Sequence, residues 1–211
     1  MDYSVQDIIT AVRVCLDEDS QNLIIDDGAL SLDTIITQKI PDGVRTITEA
    51  APSSMVDGDK SFASQLVWES GQTGVGMAYT ELPSDFMRLA IFQMSDWKRP
   101  VLEPIEDTDS KYFLQKSKFP GIRGNVDKPV CAITTSSTGK RMEFYSSVEG
   151  STVIVKVARY VSYPKIVDNS VFIGDKLYTP SIYYIAGLVL NTFKDAHSDR
   201  LFQIAKSYIN G

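Results

Sequence analysis

Five basic residues, Lys111, Lys116, Lys118, Arg123 and Lys128, fall within eighteen positions near the middle of the chain. Set against Asp109 and Asp127, they make a stretch of net +3 in a 211-residue protein whose formal charge is −6. The chemistry open to such a cluster is recognition of anions. An arginine guanidinium can hold a carboxylate through two parallel hydrogen bonds, whereas a lysine ammonium acts as a point charge. The intervening Phe119-Pro-Gly-Ile-Arg-Gly-Asn125 is built from residues that fix tight turns. Lys111, Lys116, Lys118, Arg123 and Lys128 are therefore the candidate subunit, partner or DNA-facing positions, with Arg123 as anchor; the competing reading is a solvated loop.

The remaining reactive residue types form no catalytic pattern. His197 is the single histidine, which removes the commonest general base and metal ligand from most schemes, and His-Ser-Asp reads better as an exposed capping region. Cys15 and Cys131 lie far apart and read as reduced core residues. The acidic run Asp17, Glu18, Asp19, Asp26 and Asp27 lacks the glycine and terminal glutamate of a calcium loop. Gly71, Gly74 and Gly76 have the wrong spacing for a dinucleotide fingerprint and suit a hairpin loop. Thr138-Gly139-Lys140-Arg141 has Arg where a phosphate loop needs Ser or Thr on magnesium, and reads as a hairpin turn. The expectation is a protein that is not an enzyme and needs no cofactor or metal.

Local patterns place these residues on an α+β framework. Ser4 and Asp7 have capping-box spacing before Ile8, Ile9, Val12, Cys15 and Leu16, predicting a helix from Ser4 to about Asp17. Leu32, Ile35, Ile36 and Ile40 predict a second helix from Ser31, interrupted at Pro41 and Gly43, and a short third helix is expected over Val44 to Ala51. Strands are expected at Gln65–Trp68, Met77–Leu82 and Phe86–Met94. A hairpin of Pro129–Thr134 and Lys140–Ser146 follows, then a strand over Thr152–Tyr160 with Val153, Val155 and Val157 on one face. Thr179-Pro180 reads as an N-cap followed by proline at the first helical position. The helix beyond it carries an apolar stripe through Ile182, Ile185, Ala186, Val189, Leu190 and Phe193. A break near His197 precedes a turnlike helix with Leu201, Phe202, Ile204, Ala205 and Tyr208. The expected plan is a bundle of helices from both termini with a central β-rich domain: residues 1–60 helical, 61–178 β-rich, and 179–211 a helix packing with the N-terminal ones.

With 43% apolar residues, the chain can bury a substantial core. The acidic balance argues against tight general binding of nucleic acid, and no apolar run suggests a membrane or export segment.

Several ordered segments carry a resemblance. Leu82-Pro-Ser-Asp-Phe-Met-Arg-Leu89, Met94-Ser-Asp-Trp-Lys-Arg-Pro-Val101, Gly121-Ile-Arg-Gly-Asn125, Lys128-Pro-Val-Cys-Ala-Ile133 and Tyr183-Tyr-Ile-Ala-Gly-Leu-Val-Leu190 together resemble head-to-tail connector, or tail-tubular-like ring, proteins of short-tailed, crAss-like bacteriophages. The resemblance implies a non-enzymatic virion protein of the neck or tail, assembled in the host cytoplasm. It further implies a closed ring of copies, typically twelve-fold, beneath the portal protein and beside other ring or tail proteins, extending a channel through which genomic DNA passes without tight binding. A ring needs a heterologous interface, and the basic 111–128 and acidic 17–27 stretches are candidate halves. Two other classes compete. One is a monomeric or dimeric tail-associated binding module or chaperone using Trp68, Trp97 and tyrosines as contacts. The other is a metal-dependent phage hydrolase using carboxylates from Asp17 to Asp27.

Overall fold

The structure is a computed structural model describing residues 1–19, 31–62, 66–69, 77–117, 119, 121–137, 139–147 and 153–210. Its elements begin with β1 (Asp2–Ser4), α1 (Val5–Asp19) and α2 (Leu32–Ala50), followed by the short strands β2 (Lys60–Ser61) and β3 (Val67–Glu69). Next come β4 (Met77–Glu81), β5 (Phe86–Met94), β6 (Ile105–Glu106), α3 (Ser110–Leu114), β7 (Cys131–Ser136), β8 (Gly139–Phe144) and β9 (Val155–Ser162). The last are β10 (Ser170–Phe172), α4 (Tyr178–Thr192) and α5 (Ser198–Asn210). Helices at both ends and a β-rich centre make an α+β fold, divided into two compact units: Met1–Asp57 with Tyr163–Gly211, and Gly58–Ser162.

The first unit is a helical bundle in which α4 packs against α1, α2 and α5. The hydroxyl of Ser4 accepts the Asp7 N–H at 3.0 Å, the bond that the capping spacing anticipates. The interruption expected at Pro41 does not occur: α2 runs unbroken to Ala50, so the expected second and third helices are one. Proline costs about 3 kcal/mol inside a helix, but here Ile36, Ile40, Val44 and Ile47 are buried on both sides of it, and their packing holds the helix together. Gly43 contributes directly, because a Cβ there would overlap Ile185 Cγ1 on α4. The helices therefore cross too closely for any larger residue.

Helix α4 starts earlier than the Thr179 cap predicted. A 3₁₀ turn over Asp175–Leu177 feeds it, Leu177 is the N-cap without a side-chain cap bond, and Thr179 lies in the first turn. Pro180 is then the third helical residue, still among those whose N–H has no helical partner. Phe193, expected on the buried stripe, is the C-cap and is exposed. The expected turnlike segment is a full helix, α5, that buries Leu201, Ala205 and Ile209. Residues 163–177, grouped by sequence with the β-rich segment, lie in this unit. The reason is a long-range pairing: β10 aligns antiparallel with β1, Tyr3 opposite Val171, and Val171, Ile173 and Leu177 enter the helical core.

The second unit combines a three-stranded sheet, β2-β9-β5, and a five-stranded sheet, β3-β4-β8-β7-β6. Among the described residues only β6 with β7 is parallel in this unit. The sheets share one core, where Phe92 of β5 meets Phe144 of β8 at 5.3 Å between ring centroids and Trp97 packs edge-on to both. Register shifts in the β5–β9 ladder leave Met87, Ala90 and Lys156 as extra residues. Each shift exchanges the faces of the strand, so the buried positions of β5 step from Phe86 to Leu89 to Phe92. The shift at Lys156 corrects the reading of β9: Val153 and Val155 pack on the core, but Ala158 and Tyr160 continue the buried row in place of Val157.

Candidate contact site: a basic cavity and its exposed apolar rim

The site is built outward from one buried carboxylate. On β8, Glu143 stands opposite Ala132 of β7 and is only 1% exposed. Its Oε1 accepts from Arg141 Nη2 at 2.6 Å, Arg141 Nε at 2.9 Å and the Thr134 hydroxyl at 3.2 Å. Its Oε2 accepts from the hydroxyls of Tyr145 at 2.6 Å and Tyr112 at 2.9 Å. Burial opposes the charge, but the bonds from Tyr145, Tyr112 and Arg141 together outweigh it and hold the carboxyl below its usual range. Burial, reinforced by Glu143, raises both tyrosines, so each stays a hydrogen-bond donor.

Tyr112 belongs to α3, so the Glu143 network ties that short helix to the sheet. Asp109 caps α3 by accepting the Lys111 N–H at 2.8 Å. Beyond the helix, the Gln115 amide donates to Lys111 O at 3.0 Å, while its Oε1 accepts the Gly124 N–H at 2.8 Å. Gly124 is tight in space: a Cβ would sit 2.5 Å from Ser146 Oγ and 3.0 Å from Val130 Cβ. Asn125 Oδ1 caps the following turn by accepting the N–H groups of Asp127 and Lys128, and Ser146 Oγ accepts the Val130 N–H.

These bonds enclose an open cavity of about 420 Å³ whose lining includes Lys111, Arg123, Lys128, Glu103 and the aliphatic Ile105, Leu114, Ile122 and Val130. Three of the five basic candidates thus share one cavity. Lys111 and Lys128 are exposed, whereas Arg123 is 8% exposed, and among the described residues no group accepts a hydrogen bond from its guanidinium. Glu103 is electrostatically coupled to Arg88. The other two candidates lie apart: Lys116 stands over the Tyr112 ring at 5.4 Å, and Lys118 is outside the described residues. Asp127, counted against the cluster in the sequence, pairs with Lys98.

Sequence reasoning about charge missed the apolar half of this surface. Phe113 and Phe119 are 66% and 69% exposed, and Leu102, Leu114 and Ile122 are exposed as well. The helical pattern offered no warning, because α3 is only five residues long and has no hydrophobic periodicity to read. The buried carboxylate was also missed; its signal was the alternation Arg141, Glu143, Tyr145, which places three polar groups on one face of a strand.

The other candidates fall elsewhere. His197 is exposed beside α5, with Nδ1 2.8 Å from Asp195 Oδ1. Cys131 is fully buried and burial pushes its thiol well up; Cys15 packs at the edge of the helical core. Trp97 is buried in the β core and Trp68 packs edge-on to Phe144, which takes Trp97 off any contact surface. Asp17 to Asp19 lie on α1 with side chains outside the description; Asp26, Asp27, Gly71, Gly74, Gly76 and Thr138 are outside the described residues. Among the described residues no group of three or more His, Cys, Asp or Glu could hold a metal ion, and no helix is long and apolar enough to cross a membrane.

The sequence matches no protein-family model and no curated protein. Fold and site together define a two-unit α+β protein whose β-rich unit presents a cationic cavity lined in part by the exposed Leu114 and Ile122, with Phe113 and Phe119 exposed on the same segment of chain.

Proposed function

We propose that the protein is a non-enzymatic assembly subunit that associates with further copies of itself through the 102–130 surface of its β-rich unit. The carrying observation is the exposure of Phe113, Phe119 and Ile122 beside Lys111, Arg123 and Lys128. Aromatic and arginine residues grouped with aliphatic ones are the composition of protein contact surfaces. The charges support a second copy as partner. The helical unit holds 15 acidic and 8 basic residues, net −7, whereas the β-rich unit holds 12 and 13, net +1, together giving the −6 of the chain. A basic surface on one copy and an acidic unit on the next suit a head-to-tail interface, the kind that closes into rings.

The resemblance to phage head-to-tail connectors points the same way, toward a ring beneath a portal protein, within the virion, that passes genomic DNA without gripping it. An acidic chain suits such a channel, because it repels phosphate. Sedimentation velocity across a concentration series tests the proposal. The parent protein should form a closed oligomer as concentration rises, and Phe113→Ser with Ile122→Ser should leave a folded monomer. A parent that stays monomeric throughout, or a double variant that assembles like the parent, overturns it.

A further inference from the structure

We infer that the cavity lined by Arg123 is a carboxylate-binding pocket, which takes an acidic side chain inserted by the neighbouring copy. The inference rests on the assembly reading above and names the chemistry at the centre of that interface. Three observations carry it. Arg123 is more than nine-tenths buried, lines the cavity, and among the described residues its guanidinium has no hydrogen-bond or ion-pair partner. Its nitrogens are not sealed from solvent, so the fork opens onto the cavity, and a carboxylate is the group that fork fits. Lys111 and Lys128 flank the same space, so three cations face a single carboxylate, Glu103, which is already coupled to Arg88.

The walls choose among oxyanions. Ile105, Leu114, Ile122 and Val130 supply aliphatic surface that would pack on the methylenes of an acidic side chain. A phosphodiester backbone has no such methylenes in its anionic group and favours open grooves lined by basic residues and stacking aromatics. The cavity is also rigid where it matters, since Gln115 bridges α3 to Gly124 and α3 is tied to Glu143. An inserted carboxylate would meet a preformed site, with little ordering cost.

The test is titration of the full-length protein with N-acetyl-glutamate N-methylamide, its glutamine counterpart and inorganic phosphate, followed by amide and arginine side-chain NMR. The glutamate compound should give saturable shifts at Gly124 and the Arg123 side chain, and the glutamine compound should not. Arg123→Gln should weaken binding by about tenfold or more. Because that residue is buried, Lys128→Gln provides a second variant on the exposed rim and should weaken it by a few-fold. Equal response to both compounds, binding unaffected by either variant, or phosphate binding more tightly than the carboxylate overturns the inference. The two proposals fail distinguishably: pocket binding without self-association removes the assembly reading and with it the neighbouring copy as occupant, while self-association without pocket binding removes only the pocket.

Discussion

The helical unit fills its core with valine, isoleucine, leucine and alanine, and among its described residues only Thr48, Ser181 and Ser198 are buried polar groups. The β-rich unit is built differently. Its core is aromatic and methionine-rich, around Phe86, Phe92, Trp97, Phe144, Met94 and Met142, and it also buries Glu143, Arg123, Gln115, Thr134 and Ser146. Those five polar side chains either build the basic cavity or anchor the helix beside it. An aliphatic core needs only shape and hydrophobicity, whereas the bonds of a buried polar network specify one arrangement, here with the Arg123 guanidinium left open to the cavity. On the proposed reading, the first unit is the scaffold and the second makes the contact.

The largest effect expected from breaking this contrast comes from placing a charge in the aliphatic core. Val189 on α4 is fully buried among helices, so Val189→Asp should cost about 4 kcal/mol or more, because no partner can reach the new carboxylate. Thermal melting followed by circular dichroism measures it; a soluble variant with the parent's melting temperature would show that α4 is not central to the bundle. Smaller, and opposite in character, is removal of a charge that the β-rich unit accommodates. Glu143→Gln should cost about 2–3 kcal/mol by weakening the bonds from Arg141 and the two tyrosines.

The same residue predicts a pH dependence. Its folded carboxyl titrates below the unfolded range, so its stabilisation is complete above about pH 4.3 and is lost as pH falls through the lower folded value. Denaturant unfolding between neutral and acid pH should show this slope in the parent and a flatter one in Glu143→Gln. The smallest effect is expected for Tyr112→Phe, which removes one hydroxyl and its bond to the Glu143 carboxylate, worth about 1.5 kcal/mol. Here the sharper readout is local: hydrogen exchange across α3 should quicken while the helical unit is unchanged.

Much of the scaffold is written in local pattern. The capping bond of Ser4, the apolar stripes of α1 and α4, and the β7–β8 hairpin all follow from spacing and turn chemistry within a dozen residues. What escaped local reading depends on distant partners. Pro41 does not break α2 because that helix is packed by others, and 163–177 joins the helical unit because β10 finds β1. The bulge at Lys156 shifts the buried row of β9 because β5 sets the register. The site was half legible. Its charges stood out in composition, and Lys111, Arg123 and Lys128 do share a cavity; but the burial of Arg123, the bridge through Gln115 and the exposed Phe113 and Phe119 exist only once the chain is folded.

Hydrogen exchange of the parent protein, compared between dilute monomer and concentrated assembly, tests the central claim most directly. If copies meet through the basic, apolar-rimmed surface, amides between residues 102 and 130 should gain protection on assembly, together with a set in the acidic helical unit of the neighbouring copy. Identical exchange of 102–130 in the free and assembled states would contradict the account and leave that segment a solvated loop.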